Sequence, residues 1–359
     1  MDKIKEYVFN NNLRILTLNK DEIIFRMGLW NYNEATLDLK EESESFKKVI
    51  KTFINHMEKG NSITLEEIEK SDLNDNDKAN LLGTMEALWQ SGMICSKEDS
   101  DIHNEISKIL LGDFRYLAPV KDNQKKLLFI GDSDYENKTV KELSKSIDLD
   151  LDVCSKDLKN LITSIDVTSN LDALSMKQNL EKLKQELGGY CCILLCMQQV
   201  SISMLRNLNR VCIYNNIPVV TAFIDGPFIN ILSTKSPKTG CLECYEERIL
   251  ARLEDHILYH KFASQKCKEE FPVNKGIIPI MNIMSNLLVS EGFLIANTGS
   301  SKFEGRALSI YVPTLEIQVQ DVLRVPFCKA CGNVAKAKLE DINVSTRVVM
   351  KNIIESLED

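Results

Sequence analysis

Hydrophobic and polar residues alternate in three short runs near the start of the chain, and this period of two predicts β-strands. Turn residues of the Asn, Asp and Gly type separate the runs, which cover residues 13–18, 22–27 and 35–39. Helical spacing follows at residues 44–58, 64–70 and 77–90, and Thr64 and Glu67 have the spacing of a capping box. A small antiparallel sheet with three short helices predicts a winged helix-turn-helix module over residues 1–95.

The periodicity changes after a polar stretch at residues 96–123, which we interpret as a connector with one helix around 104–111. Beyond it, strands that are apolar throughout alternate with helices, as in a parallel sheet covered on both faces. The predicted strands are 127–130, 151–154, 191–196 and 218–224, and the predicted helices are 138–147, 173–187 and 203–215. Residues 124–359 are therefore expected to form an α/β domain with a mostly parallel sheet.

Size and charge narrow the class of protein. A chain of 359 residues with 44% hydrophobic and 27% charged content is long enough for two domains with separate cores. The net charge of −8 argues against a general nucleic-acid surface. The start of the chain has no apolar signal core, and we expect no apolar run of the roughly 18–20 residues that a membrane span needs. The expected location is the cytoplasm, without membrane association.

Two Cys-x-x-Cys pairs carry the strongest chemical signal: Cys241 with Cys244, and Cys328 with Cys331. Four thiolates are a complete ligand set for tetrahedral Zn²⁺, and a shared ion would join two remote elements as a closed structural site. The alternatives are unrelated turn cysteines or a redox pair, and neither accounts for a second pair. The other cysteines lie mostly in apolar runs, where Cys behaves as a small hydrophobe: Cys95, Cys154, Cys191, Cys192, Cys196, Cys212 and Cys267.

The turn after the first strand of the α/β domain bears on nucleotide binding. A phosphate-binding loop at this place needs several glycines, so that backbone N–H groups can approach the phosphates. Only Gly131 is present here, and Asp132, Asp134 and Glu136 would repel a phosphate at close range. The turn is therefore expected to be a structural connection without a ligand.

Several segments of the α/β half resemble the fold of ThiF, MoeB and ubiquitin-activating enzymes. They are the Asn-Arg segment 207–210, the run 216–220, the segment 240–244 and the distal Cys-x-x-Cys. More narrowly, residues 241–248, 252–256 and 322–326 resemble the cyclodehydratase C proteins of thiazole/oxazole-modified microcins of the streptolysin S type. The N-terminal module is similar to the PqqD-like peptide-recognition element of such proteins.

The resemblance implies a non-catalytic recognition subunit of an azoline-forming cyclodehydratase. Such a protein binds the leader of a ribosomal precursor peptide and presents its Cys, Ser and Thr core to a YcaO-type partner that uses ATP. An FMN-dependent dehydrogenase would be an additional partner, and this chain shows no flavin signature. The fold often dimerises, so a homodimer is a further expectation. The glycine-poor turn agrees with an activating-enzyme fold that lacks nucleotide chemistry.

The same resemblance places the leader at an edge of the N-terminal sheet, held by backbone hydrogen bonds as an added strand. The expected contacts are the strand residues Ala35, Thr36, Leu37, Asp38 and Leu39 and the helix residues Leu82, Met85, Glu86 and Trp89. A buried core stripe at Leu81, Met85 and Leu88 would show the same helical spacing. His256 and His260 also share a helix face, where a solvated surface is favoured over a metal pair.

Two other classes of protein stay open. The first is a ThiF/MoeB-type adenylyltransferase that acts on a protein C-terminus, and the acidic first turn disfavours it. The second is a winged-helix regulator with a metal-sensing domain. The acidic charge balance disfavours a regulator, as does the single basic residue, Lys78, in the segment 77–90.

Overall fold

The structure is a computed structural model, and it describes residues 6–10, 13–29, 33–97, 126–168, 173–264 and 275–332. The chain divides into two compact units, Met1–Pro119 and Val120–Asp359. The predicted connector helix around residues 104–111 lies outside the described residues. Cys267 lies outside them as well.

The described part of the N-terminal unit contains two small antiparallel sheets and three helices. Its strands are β1 (Glu6–Phe9), β2 (Leu13–Asn19), β3 (Glu22–Met27), β4 (Asn33–Asp38), β5 (Ile63–Thr64) and β6 (Ile94–Ser96). Its helices are α1 (Glu44–Glu58), α2 (Leu65–Glu69) and α3 (Asp75–Gln90). The sheet orders are β2-β3-β4 and β5-β1-β6. The predicted strands and helices of this unit are thus confirmed, whereas β1, β5 and β6 were not predicted.

Side-chain caps define where these helices begin. Ser43 accepts a hydrogen bond from the backbone N–H of Phe46 at the start of α1, and Asn74 does the same for Asp77 at the start of α3. The predicted capping box of Thr64 and Glu67 is present at the start of α2. Each cap of this kind stabilises a helix by about 1 kcal/mol. The apolar faces then pack on one core, whose fully buried side chains include Phe25, Phe46, Ile63, Ile68 and Leu81.

The second unit is a seven-stranded sheet with helices packed on it. Its strands are β7 (Leu127–Ile130), β8 (Leu151–Val153), β9 (Cys192–Met197), β10 (Val219–Asp225), β11 (Phe228–Thr234), β12 (Arg306–Tyr311) and β13 (Glu316–Asp321). The described helices are α4 (Asp134–Ser146), α5 (Lys156–Ser164), α6 (Ala173–Leu187), α7 (Ile202–Asn215), α8 (Leu242–Leu250), α9 (His256–Ala263) and α10 (Ile278–Thr298). The sheet order is β13-β12-β11-β10-β9-β7-β8.

The sheet is parallel on one side and antiparallel on the other. Strands β8, β7, β9 and β10 are parallel neighbours, and β11, β12 and β13 extend the sheet as antiparallel partners. Strands β7, β8, β9, β10 and β12 therefore share one direction, so the sheet is mostly parallel, as predicted. The residues of β7 and β9 are buried throughout, because helices cover both faces of this part of the sheet. The antiparallel extension was not predicted.

Helix α10 corrects one expectation. We expected no apolar run of membrane-spanning length, yet α10 has 21 residues and a mean hydropathy of 1.4 over its most apolar window. Asn282, Ser285 and Glu291 interrupt the run in the sequence and hide its length. More than half of that window, 56%, is buried, because α10 packs on β9, β10 and α4. Inside the unit, the Glu291 carboxylate lies 3.0 Å from the Lys302 ammonium group.

The substitution of glycine by alanine should have opposite effects at two positions of the N-terminal unit. A Cβ at either Gly60 or Gly83 would meet no atom within 4 Å, but Gly60 has a φ of +80° and Gly83 lies inside α3. Gly83→Ala should stabilise the unit by about 0.5–1 kcal/mol, because alanine loses less conformational entropy in a helix. Gly60→Ala should destabilise it by about 1–2 kcal/mol, because a left-handed conformation crowds Cβ.

Urea unfolding followed by tryptophan fluorescence measures both effects. Both tryptophans of the chain, Trp30 and Trp89, belong to the N-terminal unit, so the signal reports on that unit. Equal effects of the two substitutions would contradict the assigned backbone conformations.

Candidate functional site

The four cysteines of the two Cys-x-x-Cys pairs come together in the second unit. Cys241 is the N-cap residue of α8, and Cys244 lies in the first turn of that helix. Cys328 and Cys331 lie in consecutive turns after β13. All four sulfur atoms are within 4.8 Å of one another, and each residue is buried. The grouping that the sequence predicted is therefore present in the fold.

The distances between the sulfur atoms match a tetrahedral metal site. They are 3.7 Å for Cys241 to Cys244, 3.6 Å for Cys241 to Cys328 and 3.4 Å for Cys244 to Cys331. Zn–S bonds of about 2.3 Å in tetrahedral geometry place sulfurs about 3.8 Å apart. A disulfide would need a separation of about 2.05 Å. The cluster therefore has the donor set and spacing for one metal ion, with all four positions filled by protein sulfur.

Polar groups around the cluster donate to its sulfur atoms. The backbone N–H of Val325 lies 3.3 Å from the Cys244 Sγ, and the Asn209 Nδ2 lies 3.6 Å from the Cys241 Sγ. The Asn209 Oδ1 also accepts the N–H of Leu242 at 3.0 Å, which orients the first turn of α8. Donors aimed at sulfur favour the thiolate form that binds a metal.

A partly buried ion pair supports this arrangement from α7. Arg210 donates two hydrogen bonds, of 2.7 and 2.9 Å, to the carboxylate of Glu243, which also accepts one from Asn209. Asn209 and Arg210 belong to the segment 207–210 that carries the family resemblance, but no role was predicted for them. Several other polar residues lie in the same helix, so only the fold shows that Asn209 and Arg210 face α8.

The pKa values of the cluster cysteines shift in opposite directions. The hydrogen bond with Cys241 lowers the pKa of Cys244, and the same contact raises the pKa of Cys241. Outside the cluster, burial raises the pKa of Cys212 and of Cys192, and it raises that of Cys154 to about 11. Those cysteines are neutral hydrophobic residues at neutral pH, as predicted for cysteines in apolar runs.

Two glycines let the backbone close around the cluster. A Cβ at Gly240 would lie 2.4 Å from the carbonyl oxygen of Val322, and a Cβ at Gly332 would lie 2.5 Å from that of Cys328. The same carbonyls accept the N–H groups of Gly240 and Gly332, at 3.2 and 2.9 Å. A larger residue at position 240 would push the two cysteine segments apart, and one at position 332 would distort the turn that carries Cys328 and Cys331.

The turn between β7 and α4 is closed by its own carboxylate. The Glu136 Oε2 accepts the backbone N–H groups of Asp132 at 2.9 Å and Ser133 at 3.1 Å. Asp132 in turn pairs with the Lys159 ammonium group at 2.9 Å. Burial raises the pKa of Glu136, whose side chain is 0% exposed. The backbone N–H groups of Asp132 and Ser133 are therefore already used.

The predicted peptide edge corresponds to β4 and the residue after it. Strand β4 pairs with β3 on one side, and no other described strand pairs with its opposite edge. Ala35 and Leu37 are half-buried, and Thr36 and Asp38 are exposed. Leu39 lies beyond the strand and is fully buried. Leu39 is thus a core residue, and its contact with a peptide stays a prediction.

The predicted helix residues divide in the same way. On α3, Leu82 and Glu86 are exposed, Trp89 is half-buried and Met85 packs in the core with Leu81 and Leu88. The Asn33 side chain at the start of β4 donates to the carbonyl of Ser91, the C-cap of α3. The end of α3 therefore lies beside the edge strand. His256 and His260 are exposed on α9, which has no buried residue.

Comparison with known proteins places the fold in one group of structures. No protein-family model and no curated protein matches the sequence. Similar solved structures include a heterocyclase in complex with substrate and cofactor, with a TM-score of 0.54 and 9% identity over 92% of this chain. Another is E. coli MccB with AMPCPP and MccA, with a TM-score of 0.53 and 15% identity over 91% of this chain. The heterocyclase TruD matches with a TM-score of 0.51 and 11% identity over 92%.

These structures confirm the E1-like fold, which is all that identity at this level shows. The match covers 40% of the first heterocyclase chain, 43% of TruD and 100% of the MccB chain. The chain therefore spans less than half the length of the heterocyclases that it resembles. The winged-helix assignment of the N-terminal unit stays a prediction.

Alanine substitution at two glycines tests the close approach of Gly240 to the Val322 carbonyl beside the cysteine cluster. Gly240→Ala should lower the Tm of the second unit and its metal content, because the new Cβ would overlap the Val322 carbonyl. Gly189→Ala is the control, since a Cβ there meets no atom within 4 Å. Differential scanning calorimetry and metal analysis measure the two effects. Normal stability of the Gly240→Ala variant would show that the backbone at Gly240 and the Val322 carbonyl are further apart than in this structure.

Proposed function

We propose that this protein is the non-catalytic recognition subunit of an azoline-forming cyclodehydratase. It binds the leader of a ribosomal precursor peptide and presents the Cys, Ser or Thr residues of the core to a YcaO-type partner that consumes ATP. In this proposal, the chain consists of a leader-binding module at residues 1–95, a connector at 96–123 and an E1-like domain at 124–359. The alternative is adenylation of a protein C-terminus by the chain itself.

The observation that carries the proposal is the closed turn after β7 in an otherwise E1-like domain. Phosphates bind to free backbone N–H groups at the start of a helix. Here Glu136 accepts the N–H groups of Asp132 and Ser133, so a phosphate would have to displace a buried carboxylate. This arrangement favours a scaffold role over adenylation.

The comparisons support a link to peptide modification. MccB has been solved with MccA, and the heterocyclase has been solved with its substrate. The heterocyclases are much longer than the segment that this chain matches. We infer that the remaining function is supplied here by a separate YcaO-type protein, and that an FMN-dependent dehydrogenase acts afterwards.

The open edge of β4 is the proposed leader site. An added strand would gain backbone hydrogen bonds along the edge, whatever its sequence. Alternate side chains of the leader would then contact Leu82, Glu86 and the half-buried Trp89 on the adjacent end of α3. Specificity would come from these side-chain contacts.

The proposed role of the four cysteines is to bind one structural Zn²⁺. A closed tetrathiolate site leaves no coordination position for a substrate, so the ion would stabilise the fold and supply no catalytic step. It would tie the start of α8 to the segment after β13, which are remote in sequence. Such sites contribute directly to the free energy of folding.

Removal of the metal should destabilise the second unit. Purified protein should contain one equivalent of Zn²⁺, and the Cys328→Ser/Cys331→Ser double variant should lose it together with part of the thermal stability. Cys154→Ser is the control, because Cys154 is half-buried and lies outside the cluster. Atomic absorption and calorimetry report both properties. Full metal retention by the double variant would refute a single shared site.

Leader binding and ATP turnover test the function. With a YcaO-type partner and precursor peptide, this chain should lower the apparent KM for the peptide at least about tenfold by raising its effective concentration. Leu82→Asp should weaken leader binding about tenfold or more by removing an apolar contact. Leu18→Asp on β2, at the opposite edge of the same sheet, should not, although Leu18 is also exposed.

Two outcomes would overturn the assignment. Adenylate formation by the isolated chain would establish the alternative activity. A leader that binds equally well to the Leu82→Asp variant but poorly to the Leu18→Asp variant would move the site to β2.

A further inference from the structure

Strand β13 is one edge of the seven-stranded sheet, and no other described strand pairs with its outer side. Its six residues pair with β12 in a regular register without a β-bulge. All six are exposed, including Ile317 at 61% and Val319 at 56%. The strand therefore offers a continuous row of backbone N–H and C=O groups to a further strand.

The sequence and shape of β13 do not protect this edge from pairing. Free edges of soluble proteins are commonly very short, interrupted by a bulge, or marked by lysine or proline. At the other end of the same sheet β8 has three residues, and in the N-terminal unit β2 has a register shift between Thr17 and Asn19. Strand β13 contains neither lysine nor proline, and its two charged residues, Glu316 and Asp321, stand at its ends. Its middle is thus free to accept a strand.

Two apolar rows of the sheet run outward across β11 and β12 and end on β13. They are Ile229, Ile310 and Ile317 in one row and Ile231, Leu308 and Val319 in the other. The exposed fraction rises along the rows, from 1% and 0% on β11 to 61% and 56% on β13. An apolar surface that reaches a free sheet edge is typical of an interaction surface.

The sequence of β13 is complementary to a second copy of itself. In an antiparallel pair with a two-fold axis at Gln318, Ile317 of each copy lies opposite Val319 of the other. On the other face, the Glu316 carboxylate lies opposite the Gln320 amide, which can donate to it, and two Gln318 amides meet at the axis. Each apolar side chain therefore meets an apolar one, and no carboxylate lies opposite another.

Other registers lose this match. An axis at Val319 would place Ile317 opposite Asp321 and so put a carboxylate into each apolar pair. An axis at Ile317 would place Val319 opposite Leu315, which lies before the strand and has a φ of +57°. A shift by one residue would bring opposite faces of the two strands together, which the pleat does not allow.

We propose that β13 pairs with β13 of a second copy of this chain, so that the two seven-stranded sheets become continuous. The proposal rests on the exposure and register of β13, and it requires neither the leader site at β4 nor a partner enzyme. It is therefore independent of the proposed function. One strand pair is small beside the roughly 1,200–2,000 Å² that stable interfaces bury, so the dimer should be weak and should depend on protein concentration.

Sedimentation velocity of the full-length protein at increasing concentration tests the dimer. Val319→Lys puts a charge into both apolar pairs and should raise the Kd of the dimer at least about tenfold. Leu174→Lys on α6 is the control, because Leu174 is 69% exposed and lies far from β13 in the sequence, and it should leave the Kd unchanged. Circular dichroism shows whether both variants are folded.

Cysteine cross-linking tests the register. The two-fold axis places the Cα atoms of the two copies of residue 318 about 4.5–5.5 Å apart, which a disulfide can span. Oxidised Gln318→Cys should therefore run as a covalent dimer on a non-reducing gel, and the unsubstituted protein should not. Gln320→Cys is the control, because its two copies would lie about 13 Å apart along the strands. Mixed with Glu316→Cys chains, however, Gln320→Cys should form a covalent dimer.

The proposal fails on any of three results. The first is a monomer at every concentration. In that case a lower Tm of Val319→Lys would assign the edge to another segment of the same chain, and a lost response of a YcaO-type partner would assign it to that partner. The second is a dimer that Val319→Lys leaves intact, which would place the interface elsewhere. The third is cross-linking of Gln320→Cys alone as readily as of Gln318→Cys, which would contradict the register.

Discussion

The close approach of two remote backbone segments is the constraint on which the second unit depends. The segment before α8 and the segment after β13 meet where the Gly240 N–H donates to the Val322 carbonyl, and no Cβ fits between them. This contact brings both cysteine pairs into one cluster. It also sets the position of α8, because Cys241 caps that helix and Asn209 holds its first turn. Residues along α8 also line a cavity of about 450 Å³ at the carboxyl ends of β9 and β10, so the cluster and the cavity share one helix.

The polar groups around α8 form a connected series. Glu243 accepts from Arg210 and Asn209 beside the cysteines, and one turn further along Glu246 accepts from Arg206 and Tyr259 beside the cavity. Buried ion pairs contribute little net stability, because desolvation offsets their attraction, but removing one partner is costly. Their effect here is to fix the rotation of α8 relative to α7. The orientation of the cluster and of the cavity wall therefore depends on the same two pairs.

The E1-like fold does not by itself define an activity, because function depends on the groups placed on it. At the carboxyl end of β7, the backbone N–H groups of Asp132 and Ser133 donate to Glu136, whose burial raises its pKa. At the carboxyl ends of β9 and β10, the same sheet leaves a cavity with mostly apolar walls.

The sequence alone determined the elements with strong periodicity and the identity of the cysteine ligands. Helix α1 and strands β3 and β7 follow from local spacing of apolar residues, and a Cys-x-x-Cys pair is a local signal that needs no knowledge of the fold. Strand β13 was not predicted, although Ile317 and Val319 alternate with polar residues in the sequence, which is the pattern of a strand. Helix α10 was missed because its polar positions are accommodated by neighbours such as Lys302, which the sequence does not reveal.

Only the tertiary structure decided which groups share a site. It showed that Asn209 donates to Cys241 and that Glu136 closes its own turn. It also divided the predicted peptide contacts into exposed residues, such as Leu82, and core residues, such as Leu39 and Met85. Local spacing indicates which face of an element is apolar. What covers that face, and which polar groups meet across it, is set by packing between segments that are far apart in sequence.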